Sequence, residues 1–506
     1  MFMSPSYPPS CSLYERVFGD LSSSETRRLA ITEVDTGARI TYGELRERVE
    51  AFAGYLAARG IGPGDVVALQ LPSSIDFAVA FYGVLRAGAT ATPVGMLLNR
   101  EDTAGIVAQS GAVALLGALD HGIVCTPVGR DVVFLPRATL AKAYRDRLSA
   151  PHVRVDPDAL ACIPFSSGTT GAAKGVKLSH RNLVSNIFQA RQRVEELGLT
   201  DASRVLAPLP FSHIYGLTIL LTLSLVQRAH IFTMARFELP LFLDAHQRHG
   251  ITFTFIAPPI AVALAKHPAV DAVDMSSLRV LVSAAATLDS QLALAVERRL
   301  GARVVQGYGM TEASPIVTMG SLDLTDRGSI GHPLPLTECR LVDPETLESH
   351  PTRGELLIRG PQVMQGYLNN PEATATTLLP DGWMRTGDIV ERGEYGELYV
   401  VDRAKEVIKY KGYQVAPSEL EALLLTREDV ADAAVVGAYR EGLEIPRAFV
   451  VAAGSRSLDP EEIMEWVARR VTPYKKIRRV DVVDAIPKSA TGKILRRELR
   501  EVPLPD

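Results

Sequence analysis

Cysteine is scarce and scattered in this chain. The four cysteines, Cys11, Cys125, Cys162 and Cys339, lie far apart within 506 residues, with no CxxC pair and no clustered histidines. Zinc sites and disulfide frameworks need closely spaced sets of such residues, so the sequence argues against both. This usage fits a reducing cytosol best, and we expect a cytoplasmic protein.

Other signals are also missing. The N-terminus has no basic segment followed by an apolar core, so no secretory signal is visible. The longest apolar-leaning run, at 217–226, is too short to span a bilayer. The net charge is −4, and basic residues are scattered apart from clusters at 475–479 and 496–500. We therefore expect a soluble protein without stable membrane insertion or general nucleic-acid binding.

The chain does have a loop rich in glycine and hydroxyl side chains, SSGTTGAAKG at 166–175. Glycines let the backbone approach an anion, hydroxyls and N–H groups donate to its oxygens, and Lys174 adds positive charge. A Walker A loop has four residues between Gly and Gly-Lys-Ser/Thr, whereas Lys174 stands six positions after Gly168 and is followed by Gly175. The loop indicates phosphate binding but disfavours kinase- or GTPase-type phosphoryl transfer.

Hydrophobic periodicity alternates between helix and strand over most of the chain. Thr41 and Glu44 form a possible capping box before apolar residues at helical spacing, and Gly60 stops the run. A strand is predicted at 65–71 and a helix at 75–85, and further strands at 279–282 and 303–305. This alternation predicts an α/β fold, with a large N-terminal domain of helix-covered, mostly parallel sheets.

The pattern changes twice toward the C-terminus. Residues 354–401 read as short strands separated by Gly, Asp and Glu, which predicts a small antiparallel or β-barrel-like unit. Beyond Asp402 we predict helices at 419–425 and 459–471 and strands at 433–437 and 448–451, enough for a small α+β domain. We therefore expect two domains, 1–402 and 403–506.

Two motifs carry further candidate ligand contacts. QGYGMTE at 306–312 is expected directly after a strand, where a parallel sheet exposes its binding residues. There Tyr308 could stack on a purine, Thr311 could donate to a phosphate, and Glu312 could hold Mg²⁺. Taken alone, these are equally a packed tyrosine, a turn threonine and a solvated glutamate. GWMRTGDI at 382–389 contains Asp388, which is suited to accept from both ribose hydroxyls.

Two more motifs lie near the C-terminus, DRAKEVIKYKGYQVAP at 402–417 and PKSATGKI at 487–494. In order and spacing, the five motifs resemble those of the adenylate-forming superfamily of acyl-CoA synthetases, luciferases and peptide-synthetase adenylation domains. The resemblance covers nearly the whole chain. It is strongest to the 4-coumarate–CoA ligase branch, on PFSHIYG at 210–216, QGYGMTEASP, VDRAKEVIKYKGYQVAPSELE and DAIPKSATGKILRRELR.

The resemblance implies a two-step reaction. A carboxylate attacks the α-phosphate of ATP with release of pyrophosphate, and the acyl-adenylate then meets a nucleophile, usually the thiol of CoA. ATP, Mg²⁺ and CoA are thus the implied cofactors and co-substrates. A carrier-protein phosphopantetheine or another small nucleophile remains an alternative acceptor.

The resemblance also implies catalytic roles, with Thr311 and Glu312 as members of the catalytic set. Lys493 would bridge the carboxylate and α-phosphate oxygens in the first step. The mobile C-terminal domain would then rotate about a hinge at Lys405, replacing Lys493 by a face that includes Lys409 and Gln414.

His213 would be the gate beside the carboxylate, although a lone histidine is more often merely packed. Arg403 would contact the ribose, and Gly412 would lie where the pantetheine arm passes, its plainer role being that of a turn glycine. The implied nucleotide and CoA positions are Ser166, Ser167, Gly168, Thr169, Thr170, Gly171, Lys174, Ala285, Ala286, Gln306, Gly307, Tyr308, Gly309, Thr311, Asp388, Arg403, Lys411 and Gly412.

The implied acyl pocket is overwhelmingly apolar. Its positions are Ile214, Tyr215, Ile219, Val282, Ala285, Gly309, Pro315 and Ile316. Amino-acid-activating relatives usually place an aspartate near the start of this region, but FSHIYG contains no acid, which disfavours an α-amino acid whose cation would be buried unpaired.

The pocket also departs from the coumarate ligases. SAAATL at 283–288 replaces their SGAAPL or SGGAPL, and the methyl of Ala285 should narrow or shorten the cavity. Val282 replaces the lysine or methionine of plant members. Aryl or arylacrylic acids are favoured, with Tyr215 and Tyr308 as flat walls, and medium-chain fatty acids come second.

Other functions remain to be weighed. YKKIRR at 474–479 suits the phosphates of CoA, although such a run is also typical of a solvated basic face. A catalytically silent nucleotide-binding homologue is disfavoured, because such a protein would have no shared structural reason to keep the charged residues of these motifs. The chain keeps all of them: Lys174, Glu312, Asp388, Arg403 and Lys493. An NAD-dependent dehydrogenase would need a GxGxxG after an early strand followed by an acid, which is absent.

Overall fold

Two compact units make up the chain in the computed structural model. The first contains Met1–Arg327, Gly331–Glu338 and Arg359–Met384, and the second contains Gly328–Ile330, Cys339–Ile358 and Arg385–Asp506. The structure describes residues 7–117, 132–166, 173–403, 406, 408–410, 413–440, 443–454, 457–489 and 492–504. Among these residues, no helix has the length and apolar character needed to cross a membrane.

The helices lie in both units. The α-helices are α1 Leu13–Phe18, α2 Tyr42–Ala57, α3 Ile75–Arg86, α4 Arg100–Ser110, α5 Ala138–Asp146, α6 His180–Glu196, α7 Ser224–Val226, α8 Leu239–His249, α9 Pro258–Lys266, α10 Ser290–Leu300, α11 Pro371–Thr377, α12 Pro417–Leu425, α13 Pro460–Ala468 and α14 Arg496–Glu501. Short 3₁₀ turns occupy Glu25–Arg27, Pro268–Ala272, Thr311–Ala313 and Pro473–Lys475. A π-helix, Tyr215–Leu223, runs directly into α7.

In the part of the chain that the structure describes, the strands belong to six sheets. Those of the N-terminal part are β1 Leu29–Glu33, β2 Arg39–Thr41, β3 Val66–Gln70, β4 Thr90–Pro93, β5 Ala112–Gly117, β6 Val133–Pro136, β7 Leu160–Cys162, β8 Phe165–Ser166, β9 Lys174–Gly175, β10 Leu178–Ser179, β11 Arg204–Ala207, β12 His230–Thr233 and β13 Phe253–Ile256. The others are β14 Val280–Ser283, β15 Arg303–Gly309, β16 Ile316–Met319, β17 His332–Pro333, β18 Glu338–Val342, β19 Arg353–Arg359, β20 Met384–Arg392, β21 Leu398–Arg403, β22 Ile408–Tyr410, β23 Tyr413–Val415, β24 Val430–Arg440, β25 Leu443–Ala452 and β26 Arg479–Val482.

A nine-stranded sheet dominates the first unit, in the order β17-β16-β15-β14-β13-β11-β12-β1-β2. Neighbouring strands from β15 to β1 pair in parallel, while β16, β17 and β2 pair antiparallel at the edges. All residues of β13 and β14 are buried, as expected for parallel strands covered on both faces. The carboxyl ends of these strands share one edge, which is where such sheets bind ligands.

A six-stranded sheet completes the large sheets of the first unit, in the order β10-β7-β4-β3-β5-β6. All its pairs are parallel except β10 with β7. Covering helices begin where the sequence provides caps. In α2, the Thr41 side chain accepts from the backbone N–H of Glu44, and the Glu44 carboxylate accepts from the Thr41 N–H at 2.9 Å, which confirms the capping box.

Three of the sheets formed by described residues lie mainly in the second unit. The β-unit expected at 354–401 is a four-stranded sheet, β18-β19-β20-β21, with β18 and β21 at its edges. A separate sheet, β24-β25-β26, pairs β24 antiparallel and β26 parallel to β25, and β22 forms a hairpin with β23. Alternate residues of β24 are buried in different clusters, Val435 with α12 and α13 residues and Val436 with Leu499 of α14. Helices and strands thus form an α+β arrangement here.

The predicted elements are present, with changes at their ends. Helix 75–85 and the strands at 65–71, 279–282 and 303–305 are confirmed as α3, β3, β14 and β15. The expectation that the motif QGYGMTE at 306–312 directly follows a strand is corrected. Its first four residues, QGYG, lie within β15. Antiparallel pairing of Gly307 with Met319 and Tyr308 with Thr318 continues the strand through the motif. The boundary expected between Asp402 and Arg403 falls within β21 and stays a prediction.

Candidate active site

A short ladder brings the two ends of the phosphate loop together. Ser166 of β8 is opposite Lys174 of β9 in an antiparallel pair. The Ser166 hydroxyl lies 3.3 Å from Oε1 of Glu312, and the Nζ of Lys174 lies 5.1 Å from the ring centroid of Tyr367. Loop residues Ser167, Gly168, Thr169, Thr170 and Gly171, which are implied nucleotide contacts, lie outside the described residues.

Glu312 is an acidic residue that hydrogen-bonds Ser166 of this ladder. It lies in the 3₁₀ turn after β15, is 7% exposed, and accepts at Oε1 from the hydroxyl of Tyr367 at 2.9 Å. Within the described residues, no hydrogen bond reaches Oε2, and no group of three or more His, Cys, Asp or Glu could hold a metal. Mg²⁺ commonly binds one carboxylate plus substrate phosphates and water, so the donor set fits that ion.

Close backbone approach explains the glycine-rich motif at 306–312. A Cβ on Gly309 would lie 2.1 Å from the carbonyl oxygen of Pro315, to which the Met310 N–H donates at 3.0 Å. The amide of Gln306 donates to the carbonyl of Leu288 at 2.9 Å and accepts from the Leu288 N–H at 2.9 Å. The side chain of Gln306 therefore fixes the loop after β14 against β15.

The PFSHIYG segment folds back on itself. A Cβ on Gly216 would lie 2.0 Å from the carbonyl oxygen of Pro210, which also accepts from the N–H of His213 at 3.1 Å. The Tyr215 N–H donates to Nδ1 of His213 at 3.2 Å. Because a backbone N–H can only donate, Nδ1 acts as the acceptor and the proton of the neutral ring is on Nε2.

Tyr215 begins the π-helix, an element that is rare and frequent at functional sites. Its hydroxyl donates to the carbonyl of Val282 at 3.2 Å, and its ring meets Phe255 edge to face at 6.3 Å. Burial raises the pKa of Tyr215. Ile214, Ile219, Val282 and Ile316 are also buried. Two groups of implied pocket residues are therefore in contact, Tyr215 with Val282 and Gly309 with the Pro315–Ile316 pair.

Ala285 differs from the other implied pocket residues. It follows β14, is exposed, and has a φ of 77°, in the left-handed region that favours glycine. The hydroxyls of Thr218 and Ser283, next to pocket positions in sequence, are buried without a hydrogen-bond partner among the described residues. Burying an unpaired hydroxyl costs free energy. Sequence reasoning did not single out Thr218 or Ser283.

In the second unit, Asp388 lies on β20 and is 4% exposed. It is the register partner of Arg403 on β21, so the two implied ribose contacts are brought together. The part of β20 before Asp388 is held by Glu355, 1% exposed, which accepts from the Gly387 N–H at 3.1 Å and pairs with Arg385. Sequence reasoning missed Glu355 and Arg385. The signal that could have found Glu355 is an acid next to the apolar residues of β19.

A hairpin-like turn presents Lys493. Lys488 and Ile494 form an antiparallel bridge, the Ser489 N–H donates to the Lys493 carbonyl at 2.8 Å, and the Lys493 N–H donates to Oγ of Ser489 at 3.1 Å. Gly492 has a φ of 81° and donates to the Ser489 carbonyl at 2.8 Å. Ser489 therefore sets the backbone of the implied catalytic lysine.

The remaining implied positions lie in the hinge and CoA-facing region. Lys409 and Gln414 are register partners in the β22–β23 hairpin. Lys405, Lys411 and Gly412 lie outside the described residues. In the YKKIRR segment, Lys475 pairs with Glu419 at 2.7 Å and the Arg478 guanidinium lies 4.8 Å from the ring centroid of Tyr410. Two of its cations therefore have partners in the second unit.

Comparison with known protein families settles the class. The AMP-binding enzyme family matches residues 22–368, and the AMP-binding enzyme C-terminal domain matches residues 419–493. The chain belongs to the AMP-binding enzyme family. It is 40% identical to 4-coumarate–CoA ligase 5 of Oryza sativa subsp. japonica, over 97% of this chain and 95% of that protein. It is 37% identical to 4-coumarate–CoA ligase 2 of Nicotiana tabacum, over 97% and 94%.

Solved structures agree with this AMP-binding fold. ATP-bound MatB from Rhodopseudomonas palustris has a TM-score of 0.87 at 27% identity, covering 97% of this chain and 99% of that one. A benzoate CoA ligase from Burkholderia xenovorans has a TM-score of 0.86 at 27% identity, covering 97% and 100%. The amide bond synthetase McbA from Marinactinospora thermotolerans has a TM-score of 0.83 at 28% identity, covering 96% and 98%. The chain is thus an adenylate-forming, ATP-using member of the acid–CoA ligase family, as the motifs imply.

Proposed function

We propose that this protein activates an aryl or arylacrylic acid with ATP and Mg²⁺ and transfers the acyl group to the thiol of CoA. The observation that carries the proposal is the contact of Glu312 with Ser166 at the base of the phosphate loop, opposite Lys174. This contact supports the proposal that Glu312 holds a cation and that Lys174 binds phosphate in one site. Identity of 37–40% to 4-coumarate–CoA ligases over 97% of the chain supports this substrate class and CoA as acceptor.

Bringing a carboxylate to a triphosphate requires that two anions approach each other. Mg²⁺, when bound, supplies positive charge that offsets this repulsion. In the proposal, Glu312 holds the ion, Lys174 binds phosphate oxygens, and Thr311 donates to a phosphate. Lys493 holds the acid carboxylate against the α-phosphate, so that the donor is in place before charge develops.

The hydrogen bond from the Tyr215 N–H to Nδ1 orients the ring of His213. In the proposal, His213 is the gate beside the carboxylate of the acid. Asp388 would accept from the ribose hydroxyls, supported by its place opposite Arg403. Tyr308 would stack on the purine.

The proposed acyl pocket is bounded by Tyr215, Ile219, Val282 and Ile316, which are buried and apolar or aromatic. An α-ammonium would find no carboxylate in FSHIYG, so amino acids are disfavoured. A flat aromatic acid suits a pocket that contains the aromatic ring of Tyr215. Medium-chain fatty acids are the competing outcome.

The second step is assigned to the C-terminal domain, 403–506. After adenylation, rotation at Lys405 would withdraw Lys493 and bring in Lys409, Lys411, Gly412 and Gln414. Such gating lets one site perform two reactions that need different groups. Lys409 and Gln414 are register partners on one hairpin, which supports the proposal that the rotation brings both to the site together.

The test is acid-dependent pyrophosphate release over cinnamic, benzoic, fatty and amino acids, each with and without CoA. We expect release with aryl or arylacrylic acids, acyl-CoA as product, and loss of both with Lys493→Ala. Release without acyl-CoA would replace CoA by a carrier protein or an amine, the latter in line with the similarity to an amide bond synthetase. Release only with fatty acids would overturn the aryl assignment, and no release with any acid would overturn the enzyme assignment.

A further inference from the structure

One residue outside all five motifs contacts two residues of the proposed ATP site. Tyr367, eight percent exposed, precedes α11 in the segment MQGYLNNPE. Its hydroxyl donates to Oε1 of Glu312 at 2.9 Å. The Nζ of Lys174 lies 5.1 Å from its ring centroid, within the range of a cation–π contact.

The direction of the hydrogen bonds at Tyr367 is determined by its partners. The carboxylate of Glu312 can only accept, so the phenol proton points to it. The Thr377 side chain acts in the direction that lowers the pKa of Tyr367. Burial and the charge of Glu312 raise the pKa of Tyr367 more strongly, so the phenol keeps its proton.

The backbone around Tyr367 is in register with the end of the phosphate loop. The Lys177 N–H donates to the Gly366 carbonyl at 2.9 Å, and the Leu368 N–H donates to the Gly175 carbonyl at 2.8 Å. Val176 and Tyr367 form an antiparallel bridge between these two bonds. A shift of Tyr367 would therefore also shift the strand that carries Lys174.

Ser166 and Tyr367 both hydrogen-bond Oε1 of Glu312, and neither of them hydrogen-bonds Oε2. We propose that Tyr367 is a positioning residue, which orients Glu312 through its hydroxyl and Lys174 through its ring for binding of ATP with Mg²⁺. The proposal rests on the roles given above to Glu312 and Lys174. A residue of similar volume could fill the same buried space. It would not by that alone provide the hydrogen bond to Glu312 or the ring contact with Lys174.

Two substitutions separate the hydroxyl from the ring. Tyr367→Phe keeps the ring beside Lys174 and removes the hydrogen bond to Glu312, whereas Tyr367→Leu removes both. Tyr42→Phe is a matched control, because the buried Tyr42 hydroxyl donates at 2.7 Å to the backbone carbonyl of Ala229 in the core. Thermal unfolding of each variant measures the structural effect.

The main measurement is ATP binding by calorimetry across a series of Mg²⁺ concentrations, with no acid present. For Tyr367→Phe we expect the Mg²⁺ concentration for half-maximal ATP binding to rise about fivefold, as loss of one net hydrogen bond predicts. Its ATP affinity without Mg²⁺ should stay unchanged. Tyr367→Leu should also weaken that metal-free affinity, because Lys174 loses its contact. In turnover, the KM for the acid should not change with Tyr367→Phe.

Reference variants distinguish failure of this inference from failure of the proposed function. If Glu312→Gln raises the Mg²⁺ requirement and Tyr367→Phe behaves like Tyr42→Phe, Tyr367 has no positioning role. If neither Glu312→Gln nor Lys174→Ala changes ATP or Mg²⁺ binding, the site assignment itself is wrong and the inference fails with it. If Tyr367→Leu does not fold, the Mg²⁺ midpoint of Tyr367→Phe decides alone.

Discussion

Arg496 and Glu421 form a buried ion pair in the C-terminal part of the chain. One guanidinium nitrogen of Arg496 donates to both carboxylate oxygens of Glu421, at 2.8 and 2.7 Å, and both side chains are 11% exposed. Arg496 also lies 3.6 Å from Glu406, the residue after the proposed hinge. The pair therefore links the segment that carries Lys493 to α12 and to the hinge segment.

Breaking this pair should destabilise the second unit strongly. Arg496→Met leaves two buried carboxylates without their cation, and such losses cost about 3–5 kcal/mol. Arg497→Met is the control, because Arg497 pairs with Glu501 on the surface with its side chain 72% exposed. An exposed helix pair is worth about 0.3–0.5 kcal/mol. Thermal or denaturant unfolding measures both, and equal losses would contradict the role given to the buried pair.

Removing the Ser489 hydroxyl should weaken the first half-reaction selectively. Ser489→Ala loses the bond to the Lys493 N–H, so the lysine loses part of its preorganisation. We expect a slower pyrophosphate-releasing step, with a smaller loss than the ~10²–10³-fold expected for Lys493→Ala.

The second half-reaction provides the control for Ser489→Ala. Acyl-CoA formation from synthetic acyl-adenylate should keep its rate, because Lys493 is proposed to act only in the first step. A parallel loss in both half-reactions would mean that the serine supports the fold of the domain rather than the lysine.

Ala285→Gly should stabilise the protein and widen the acyl pocket. A non-glycine residue at a φ of 77° is strained, and relief of that strain is worth up to about 1 kcal/mol. Ala286→Gly next to it lacks a positive φ and should be neutral or destabilising. Unfolding midpoints compare the two variants. The KM for ring-substituted acids should fall with Ala285→Gly, and an unchanged KM across that series would remove Ala285 from the pocket.

Acid should destabilise the first unit through its buried histidines. Burial lowers the pKa of His246 to about 4 from an ordinary value of 6.5, while the ring stays in contact with Phe242 and Thr254. Below pH 6.5 the unfolded chain binds a proton at this residue and the folded chain does not. The contribution of neutral His246 to the free energy of unfolding is therefore fully present above pH 6.5 and is lost as the pH falls toward 4.

Substitution of His246 tests this dependence. His246→Gln should flatten the curve of unfolding free energy against pH below 6.5, by at most about 1.4 kcal/mol per pH unit. Between pH 7 and 8 the curves of the two proteins should be parallel. His180 and His230 have pKa values lowered in the same direction, so part of the acid sensitivity should remain. A curve of unchanged slope would show that His246 titrates normally.

Local patterns predicted the elements whose determinants are close in sequence. The capping box of Thr41 and Glu44 spans four residues, and the helix that follows is the one predicted. The alternation of elements likewise predicted parallel sheets. The end of β15 could not be predicted in this way, because its continuation through Tyr308 depends on pairing with β16.

The residues of the candidate site likewise fall into those that local sequence predicts and those that it does not. The motifs contain Lys174, Glu312, Asp388 and Lys493, because these residues lie in short recognisable segments. Tyr367 is 55 residues from Glu312, and Arg496 is 75 residues from Glu421, so no periodicity or local spacing relates them. The π-helix was also invisible, since a continuous apolar run looks the same at any helical period.

The hydroxyl of Tyr215 donates its proton to the backbone carbonyl of Val282, so this wall of the proposed pocket has no phenol proton left for an acyl group. Discrimination there is by shape, and one methylene in an apolar pocket is worth about 10–200-fold, against about 10⁴–10⁵-fold where a site hydrogen-bonds a substrate hydroxyl. Acids that share a ring and differ in its decoration would then compete for one enzyme. Their relative abundance in the cell, more than the protein, would decide which thioester is made.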